Sequence, residues 1–335
     1  MKKNKYFILF GNCIPVKGHL SSIILDLQRE SYLEIPNMLF DILMHDLYNL
    51  TINQLKLIHK NQYSAGIDAY FNYLCEMEYG FFTNEPKFFP KIKLAHESPF
   101  KLLSSVINYN ENSNYQLENV FKQLAILNVQ TLQIRIFKNT NINELLVKLK
   151  IFKASRTKKI EIYLKDYDYD LNKLINVTKN ELRISIIIHS SSNYLDYIEN
   201  RIFIRQEKIY ENGIEIYSPD LFISNIPFFC EANFFNIGLN RKISIDFDGS
   251  IKNYISHKKI FGNINNTLID KVLESEEFQE KWNISNDIIE KCKDCQFRYS
   301  CLSNSDVEKT DTEYKKINTC NFDPYTNTWN NQTIK

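Results

Sequence analysis

The densest reactive chemistry in the chain is Cys292-Lys-Asp-Cys295-Gln-Phe-Arg-Tyr-Ser-Cys301, followed by Cys320. A C-x-x-C pair lets two thiolates from one tight turn face the same point. A cysteine six residues on can swing round to it, and one nineteen further on can close a tetrahedron. Four soft thiolates suit zinc or an iron–sulfur cluster and do not suit magnesium or calcium. The spacing leaves zinc and iron–sulfur both open. A disulfide framework fits less well, because seven cysteines is an odd number. Tyr6-Phe-Ile-Leu-Phe10 is too short for a secretory h-region and leads to no small-residue cleavage site. The expectation is a cytoplasmic protein that keeps its thiols reduced.

Elements able to position such a tail are present in number. A chain of 335 residues, 44% hydrophobic, can build two or three packed units. Its 41 basic and 40 acidic residues leave a charge of +1, which offers no electrostatic case for a nucleic acid or an anionic membrane. No apolar run approaches the length of a membrane span. We divide the chain at residues 1–90, 97–225 and 226–335.

The first unit reads as short strands and then three helices. Tyr6–Ile14, Ser22–Leu27 and Ser31–Ile35 are the strands, with a turn at Val16-Lys-Gly18. Pro36 fits the first turn of a helix carrying Met38, Leu39, Ile42, Leu43 and Leu47. Thr51 caps a helix through Leu57, and a third helix runs from Ala65 to Tyr79. The middle alternates between strands and helices. Strands at Leu102–Tyr109, Thr131–Phe137, Lys159–Leu164 and Arg183–His189 are separated by helices at Gln116–Leu127, Ile142–Phe152 and Tyr169–Val177. Units this short imply parallel strands with right-handed crossovers. Four or five of them make an open or partial (βα)n barrel, since a closed one needs eight. No glycine-rich phosphate loop follows any strand, which argues against nucleotide binding in this chain.

Ahead of the cysteines run Ile245-Asp-Phe-Asp-Gly249-Ser-Ile-Lys, then His257-Lys-Lys-Ile-Phe-Gly262-Asn-Ile264, then a helical stretch from Thr267 to Trp282 with Phe278 and Trp282 one turn apart. This order resembles the SPASM domain, the auxiliary-cluster domain of radical-SAM peptide-modifying enzymes, which holds two [4Fe-4S] clusters on seven cysteines. The resemblance places Cys230 in the first of those seven positions. Tyr254 and Ser305 stand where two others would be. It implies that one cluster site is lost, and that the other maps onto Cys292, Cys295, Cys301 and Cys320 as ligands of one [4Fe-4S] cluster, with zinc as the alternative. The C-x-x-x-C-x-x-C loop that radical-SAM enzymes use to cleave S-adenosylmethionine is missing. Its place, Val106–Tyr115, has no cysteine, and Phe137-Lys-Asn-Thr-Asn141 lacks the family's glycine-rich turn. Neither S-adenosylmethionine binding nor a catalytic residue is expected.

A radical-SAM-like chain with a SPASM tail and no catalytic cysteines is similar to the grasp-with-spasm peptide maturases. Lys291–Cys301, Cys320-Asn-Phe-Asp-Pro-Tyr-Thr-Asn-Thr-Trp329 and Phe10-Gly-Asn-Cys-Ile-Pro-Val-Lys-Gly18 carry that similarity. It implies an α/β protein with three parts: a small α+β winged-helix-like peptide-recognition unit, a degenerate partial radical-SAM-like barrel and a SPASM-like metal-binding tail. The implied function is accessory. The chain would bind the precursor of a ribosomally synthesised, modified peptide and work with an ATP-grasp ligase, with the cluster structural. The alternatives are a peptide-modifying oxidoreductase using one auxiliary cluster, or a zinc-clipped structural protein. In recognition units of this kind a leader peptide adds as a strand to a sheet edge, and Ser21–Gln28 is the expected edge.

Several single residues read as structural. His189 ends a strand at the edge where α/β folds bind ligands, yet has no paired acid nearby in sequence. His257 reads as a surface residue. Asp166, Asp168 and Asp170 read as a helix N-terminal turn. Cys13, Cys75 and Cys230 read as small buried apolar residues.

Overall fold

The computed structural model describes residues 4–44, 49–167, 169–192, 195–198, 201–213, 222–318 and 320–330. The strand expected over 6–14 is two strands, β1 (Tyr6–Leu9) and β2 (Cys13–Val16). A turn separates them, closed by the Cys13 N–H donating to Phe10 O at 2.9 Å. Next come β3 (Ser21–Asp26), β4 (Ser31–Pro36), α1 (Asn37–Met44), α2 (Ile52–Ile58), α3 (Ser64–Glu76) and β5 (Gly80–Thr83). β1 pairs antiparallel with β5. β2, β3 and β4 form a separate antiparallel sheet in that order. Thr51 caps α2 through a capping box with Gln54, as its position predicts. Leu47, expected on the first helix, lies outside the described residues.

The expected docking edge is corrected by this sheet. Ser21–Asp26 is its central strand, with β2 on one flank and β4 on the other. The physical reason is the run Ile23-Ile24-Leu25, apolar at successive positions and at most 1% exposed. Such a run suits a strand covered on both faces rather than one with a polar side. Ile24, with Cys13 and Ile35, packs beneath the three helices against Phe7, Leu39 and Phe71. Val16, Ile23, Leu25 and Leu27 face the other way, onto Phe229, Phe297 and Phe322 from the far end of the chain.

The middle of the chain follows the expected alternation. β6 (Ser104–Tyr109), α4 (Leu117–Ile126), β7 (Thr131–Ile136), α5 (Ile142–Leu149), β8 (Lys159–Lys165), α6 (Leu171–Asn180) and β9 (Ile184–His189) are followed by β10 (Leu195–Ile198) and β11 (Ile202–Ile204). After α7 (Ile226–Ala232) come β12 (Lys242–Ile245) and β13 (Ile251–Lys252). These strands make one eight-stranded sheet ordered β10-β11-β9-β8-β7-β6-β12-β13. The six from β11 to β12 run parallel, with antiparallel strands at both edges. The architecture is α/β with a large parallel sheet. The hairpin at Gly249 (φ +81°) joins this sheet through β12. Ile134, Ile162 and Ile186 stand in register across β7, β8 and β9 and belong, with Leu124, Leu149 and Leu174 of the helices, to one apolar core.

The helix expected over 267–282 is instead α8 (Ile269–Leu273), α9 (Glu276–Gln279) and a 3-10 turn over Glu280–Asn283. Ser275 adopts extended angles between the two helices and breaks the run. Phe278 and Trp282 still meet edge to face at 5.7 Å. No helix among the described residues is long and apolar enough to cross a membrane.

Candidate metal centre

The cysteine segment is a chain of tight turns with little regular structure, so its backbone amides are available to the thiols. The Cys295 N–H donates to Cys292 O at 3.0 Å, the turn that a C-x-x-C spacing requires. Cys295 Sγ accepts the Phe297 N–H at 3.4 Å, and Cys320 Sγ accepts the Phe322 N–H, also at 3.4 Å. Backbone N–H groups aimed at sulfur favour the thiolate, the form that binds metal. The Cys301 backbone pairs with Phe222 in an isolated antiparallel β-bridge. All four are half-buried. Cys292 packs with Ile289, Val307 and Tyr314, whereas Cys295 and Cys320 pack in the core around Phe297.

The thiols share one electrostatic neighbourhood. Burial pushes the Cys295 thiol far up, opposed by the Phe297 N–H and reinforced by Cys301, Cys292 and Cys320. Cys320 is raised by burial, lowered by the Phe322 N–H, and raised again by Cys301 and Cys292. Cys292 is raised by burial and by Cys301, while Lys316 pulls it down. A divalent ion or cluster would reverse this, since a metal removes the proton outright. Among the described residues, no group of three or more His, Cys, Asp or Glu side chains is already set to hold a metal ion. The donor set nevertheless has the chemistry for a thiolate-bound group: four mutually interacting thiols, two N–H···S bonds and one nearby ammonium.

The tail is fastened to the three-stranded sheet at many points. The ring of Phe297 lies 5.2 Å from Tyr32 of β4, 4.9 Å from Phe222 and 5.1 Å from Phe322. Arg298 donates to Lys17 O at 2.5 Å and pairs with Asp287 at 2.8 Å. The His19 N–H donates to Asp294 O at 2.8 Å. Buried Gln296 reaches Ser21 Oγ at 3.3 Å, and a Cβ on Gly18 would stand 2.6 Å from Gln296 Oε1, so any larger residue at position 18 would collide with the Gln296 side chain.

The other singled-out residues divide. Cys13 and Cys230 are buried, as expected, and Cys75 is half-buried. Asp170 caps α6 by accepting the Asn172 and Lys173 N–H groups. Asp168 lies outside the described residues. His257 is not on the surface: it is 2% exposed, and its Nε2–H donates to Asn304 O at 3.0 Å. Burial lowers its pKa, opposed by Asp306. The Lys258-Lys259 pair beside it suggested solvent, but the chain turns Lys258 outward while the imidazole packs beside Tyr254, 1% exposed; Ser305, fully buried, follows the Asn304 whose carbonyl the imidazole meets. Tyr254 and Ser305 are the two positions that lack the cysteines of the resembled family.

His189 ends β9 and is 2% exposed. Burial, with Arg135 and Lys165, lowers its pKa to about 4. Its polar neighbours on the same face of the sheet went unremarked in the sequence. The signal was there, in the strict apolar–polar alternation of Leu132-Gln-Ile-Arg-Ile136 and Ile160-Glu-Ile-Tyr-Leu-Lys165. It marks a sheet with one polar face, which is covered in part by the segment around Tyr210, whose carbonyl accepts from Arg135.

Compared with known proteins, the chain matches no family model and no curated protein. Among solved structures it is similar to Streptococcus suis SuiB bound to S-adenosylmethionine, at 12% identity and a TM-score of 0.31. It is also similar to SuiB bound to its precursor peptide SuiA, at 13% identity and a TM-score of 0.33. Each alignment covers 88% of this chain and 94% of SuiB. At these scores the likeness fixes neither fold nor function.

Proposed function

We propose that the chain is an accessory protein of peptide maturation. It binds a precursor peptide through its three-stranded sheet, holds one thiolate-ligated metal group on Cys292, Cys295, Cys301 and Cys320, and presents the peptide to an ATP-grasp ligase that forms side-chain amide or ester bonds. A single observation supports this most: the four-cysteine tail and the N-terminal sheet share one core around Phe297. A metal clip placed there stiffens a sheet whose other face already rests on three helices.

Four thiolates fill the coordination of zinc or of a cubane, leaving no open position for substrate, so the group's chemistry here is structural. Cys295 and Cys320 would be oriented by their N–H···S bonds, and Lys316 would offset part of the negative charge. The iron–sulfur form is the favoured one, and zinc is the alternative. Nucleotide chemistry is assigned in this reading to the partner ligase; no glycine-rich phosphate-binding motif follows any of the sheet's strands in the sequence.

Of the two free sheet edges, β4 is the better docking strand. β2 contains Pro15, which has no N–H to offer a new neighbour. β4 is half-exposed over Ser31–Leu33 and exposed at Glu34. A peptide added there gains backbone hydrogen bonds along the strand. Hydrogen exchange on the full-length protein tests this: the cognate precursor should slow exchange at Ser31–Ile35. Protection confined to the ends of β7–β9 would move recognition to the large sheet. Mass spectrometry of the precursor with the ligase should show one water lost per bond, and far slower conversion when this chain is omitted. An unchanged rate without it would remove the accessory role.

A further inference from the structure

The large sheet has two unlike faces. The face toward α4, α5 and α6 is aliphatic. The opposite face carries Arg135 beside Tyr163 on one rung, and Lys165 beside His189 on the last rung of β8 and β9. Arg205, the residue after β11, continues that rung, its backbone N–H donating to Ile188 O at 2.8 Å. Strands lie about 4.8 Å apart, so His189 stands between two cations. Lys165 and Arg205 are exposed, and neither has an ion-pair partner among the described residues. Of the carboxylates near this face, Glu161 pairs with Lys159 at 2.6 Å and Asp246 with Lys252 at 2.8 Å, and Glu211 accepts from Asn110 Nδ2 at 3.4 Å; Asp166 and Glu207 flank the rung through their backbones.

His189 is the second observation. Its Nδ1 lies 3.0 Å from Ser190 Oγ, and Ser190 is held at φ +60°, a conformation rare outside glycine. Its Nε2 is buried and has no hydrogen-bond partner, an arrangement that leaves a polar atom's desolvation uncompensated. With the Ser190 hydroxyl donating to Nδ1, Nε2 carries the hydrogen and is a donor in want of an acceptor. Lys165 and Arg205 rest over the rings of Tyr167 and Phe203, at 5.4 and 6.0 Å, but have no ion-pair carboxylate among the described residues; with one unpaired donor on the same rung, they call for an anionic oxygen.

We propose that this rung binds a carboxylate, the acidic side chain of a peptide substrate, between Lys165, His189 and Arg205. The proposal rests on the maturation reading and adds the substrate class. An Asp or Glu side chain is the group a ligase must activate to make an amide or ester, and this face would hold it apart from the recognition sheet.

The test uses the full-length, metal-loaded protein and N-acetyl-glutamate N-methylamide as the probe, with its glutamine counterpart and inorganic phosphate as controls. Imidazole resonances report binding, and His189→Gln identifies the His189 signal. The glutamate probe should shift that signal saturably and raise the His189 pKa, while the glutamine probe binds at least tenfold more weakly. The double variant Lys165→Gln/Arg205→Gln alters only exposed side chains and should keep its melting temperature while losing at least tenfold in probe affinity. Equal binding of the glutamine probe, full binding by the double variant, or tighter binding of phosphate would each overturn the proposal. None of these results depends on the precursor or the ligase. Failure here with β4 protection intact removes the carboxylate site alone. Success here with no precursor bound and no effect on the ligase removes the maturation role alone.

Discussion

Phe297→Ala is the sharpest perturbation of the shared core. The ring is 2% exposed and meets Tyr32, Phe222 and Phe322 within 5.2 Å. Truncating a buried Phe removes its transfer free energy and leaves a cavity, together about 3–5 kcal/mol. Lost aromatic pairing adds roughly 0.5–1.5 kcal/mol per partner, not additively. A loss of about 4 kcal/mol, close to a thousandfold in the unfolding equilibrium, is therefore expected. The two tryptophans make the assay specific, because Trp282 lies in the core of the large sheet while Trp329 packs beside Phe297. In a Trp282→Phe background, Trp329 fluorescence in guanidinium reports the tail alone. Amide exchange at Ile23–Leu25 reports the sheet. Both should loosen together. A loss under about 1 kcal/mol, or a loosened tail over a β3 that keeps its protection, would refute the idea that tail and sheet are held by one core.

Cys295→Ser should release the metal group and lower the stability of both tail and sheet, read by metal analysis and a melt, because ligand-set integrity and folding are linked in such sites. Anaerobically purified protein should contain iron and acid-labile sulfide with a visible absorption band, whereas a colourless protein with stoichiometric zinc would select the alternative. The pKa of His189, about 4 when folded against 6.5 when unfolded, means that the unfolded chain takes up the proton first as pH falls. Stability from this residue is complete above about pH 6.5 and falls by up to about 3 kcal/mol toward pH 4; denaturation of His189→Gln should show a flatter profile across that window. A fragment of residues 1–90 leaves Val16, Ile23, Leu25 and Leu27 without cover, so its amide spectrum should lack the dispersion of a packed domain; sharp, dispersed peaks would show that the sheet stands alone. Reduced, reconstituted protein given S-adenosylmethionine should form no 5′-deoxyadenosine above a protein-free control.

The parts that were legible in the sequence are those fixed by local chemistry. Ile and Leu recurring at strand and helix periods gave the βα alternation, and Thr51 with Gln54 gave a capped helix. The C-x-x-C turn could be placed from its spacing alone. What escaped depended on partners distant in sequence. Ser21–Asp26 looks like any apolar strand until β2 and β4 are seen on both flanks. His257 sits among lysines in sequence and beside Tyr254 in space. The stretch 267–282 has helical spacing, yet Ser275 interrupts it. The polar face of the large sheet was visible as alternation, but nothing local shows that Lys165, His189 and Arg205 end on one rung.

The hydrogen bond between Gln296 and Ser21 spans 275 residues, and this separation bears on synthesis. At roughly 5–20 residues per second, about 15–60 seconds pass between the emergence of Ser21 and that of Gln296. During that interval Val16, Ile23, Leu25 and Leu27 lack the cover of Phe297 and Phe322, although the helices against the other face are already made. The nascent chain thus carries a half-clad apolar sheet throughout that interval. Long-range closure of this kind is slow and leaves apolar surface exposed to aggregation. Yield in a cell should therefore depend on holdase supply and on translation rate more than the stability of the finished protein would suggest.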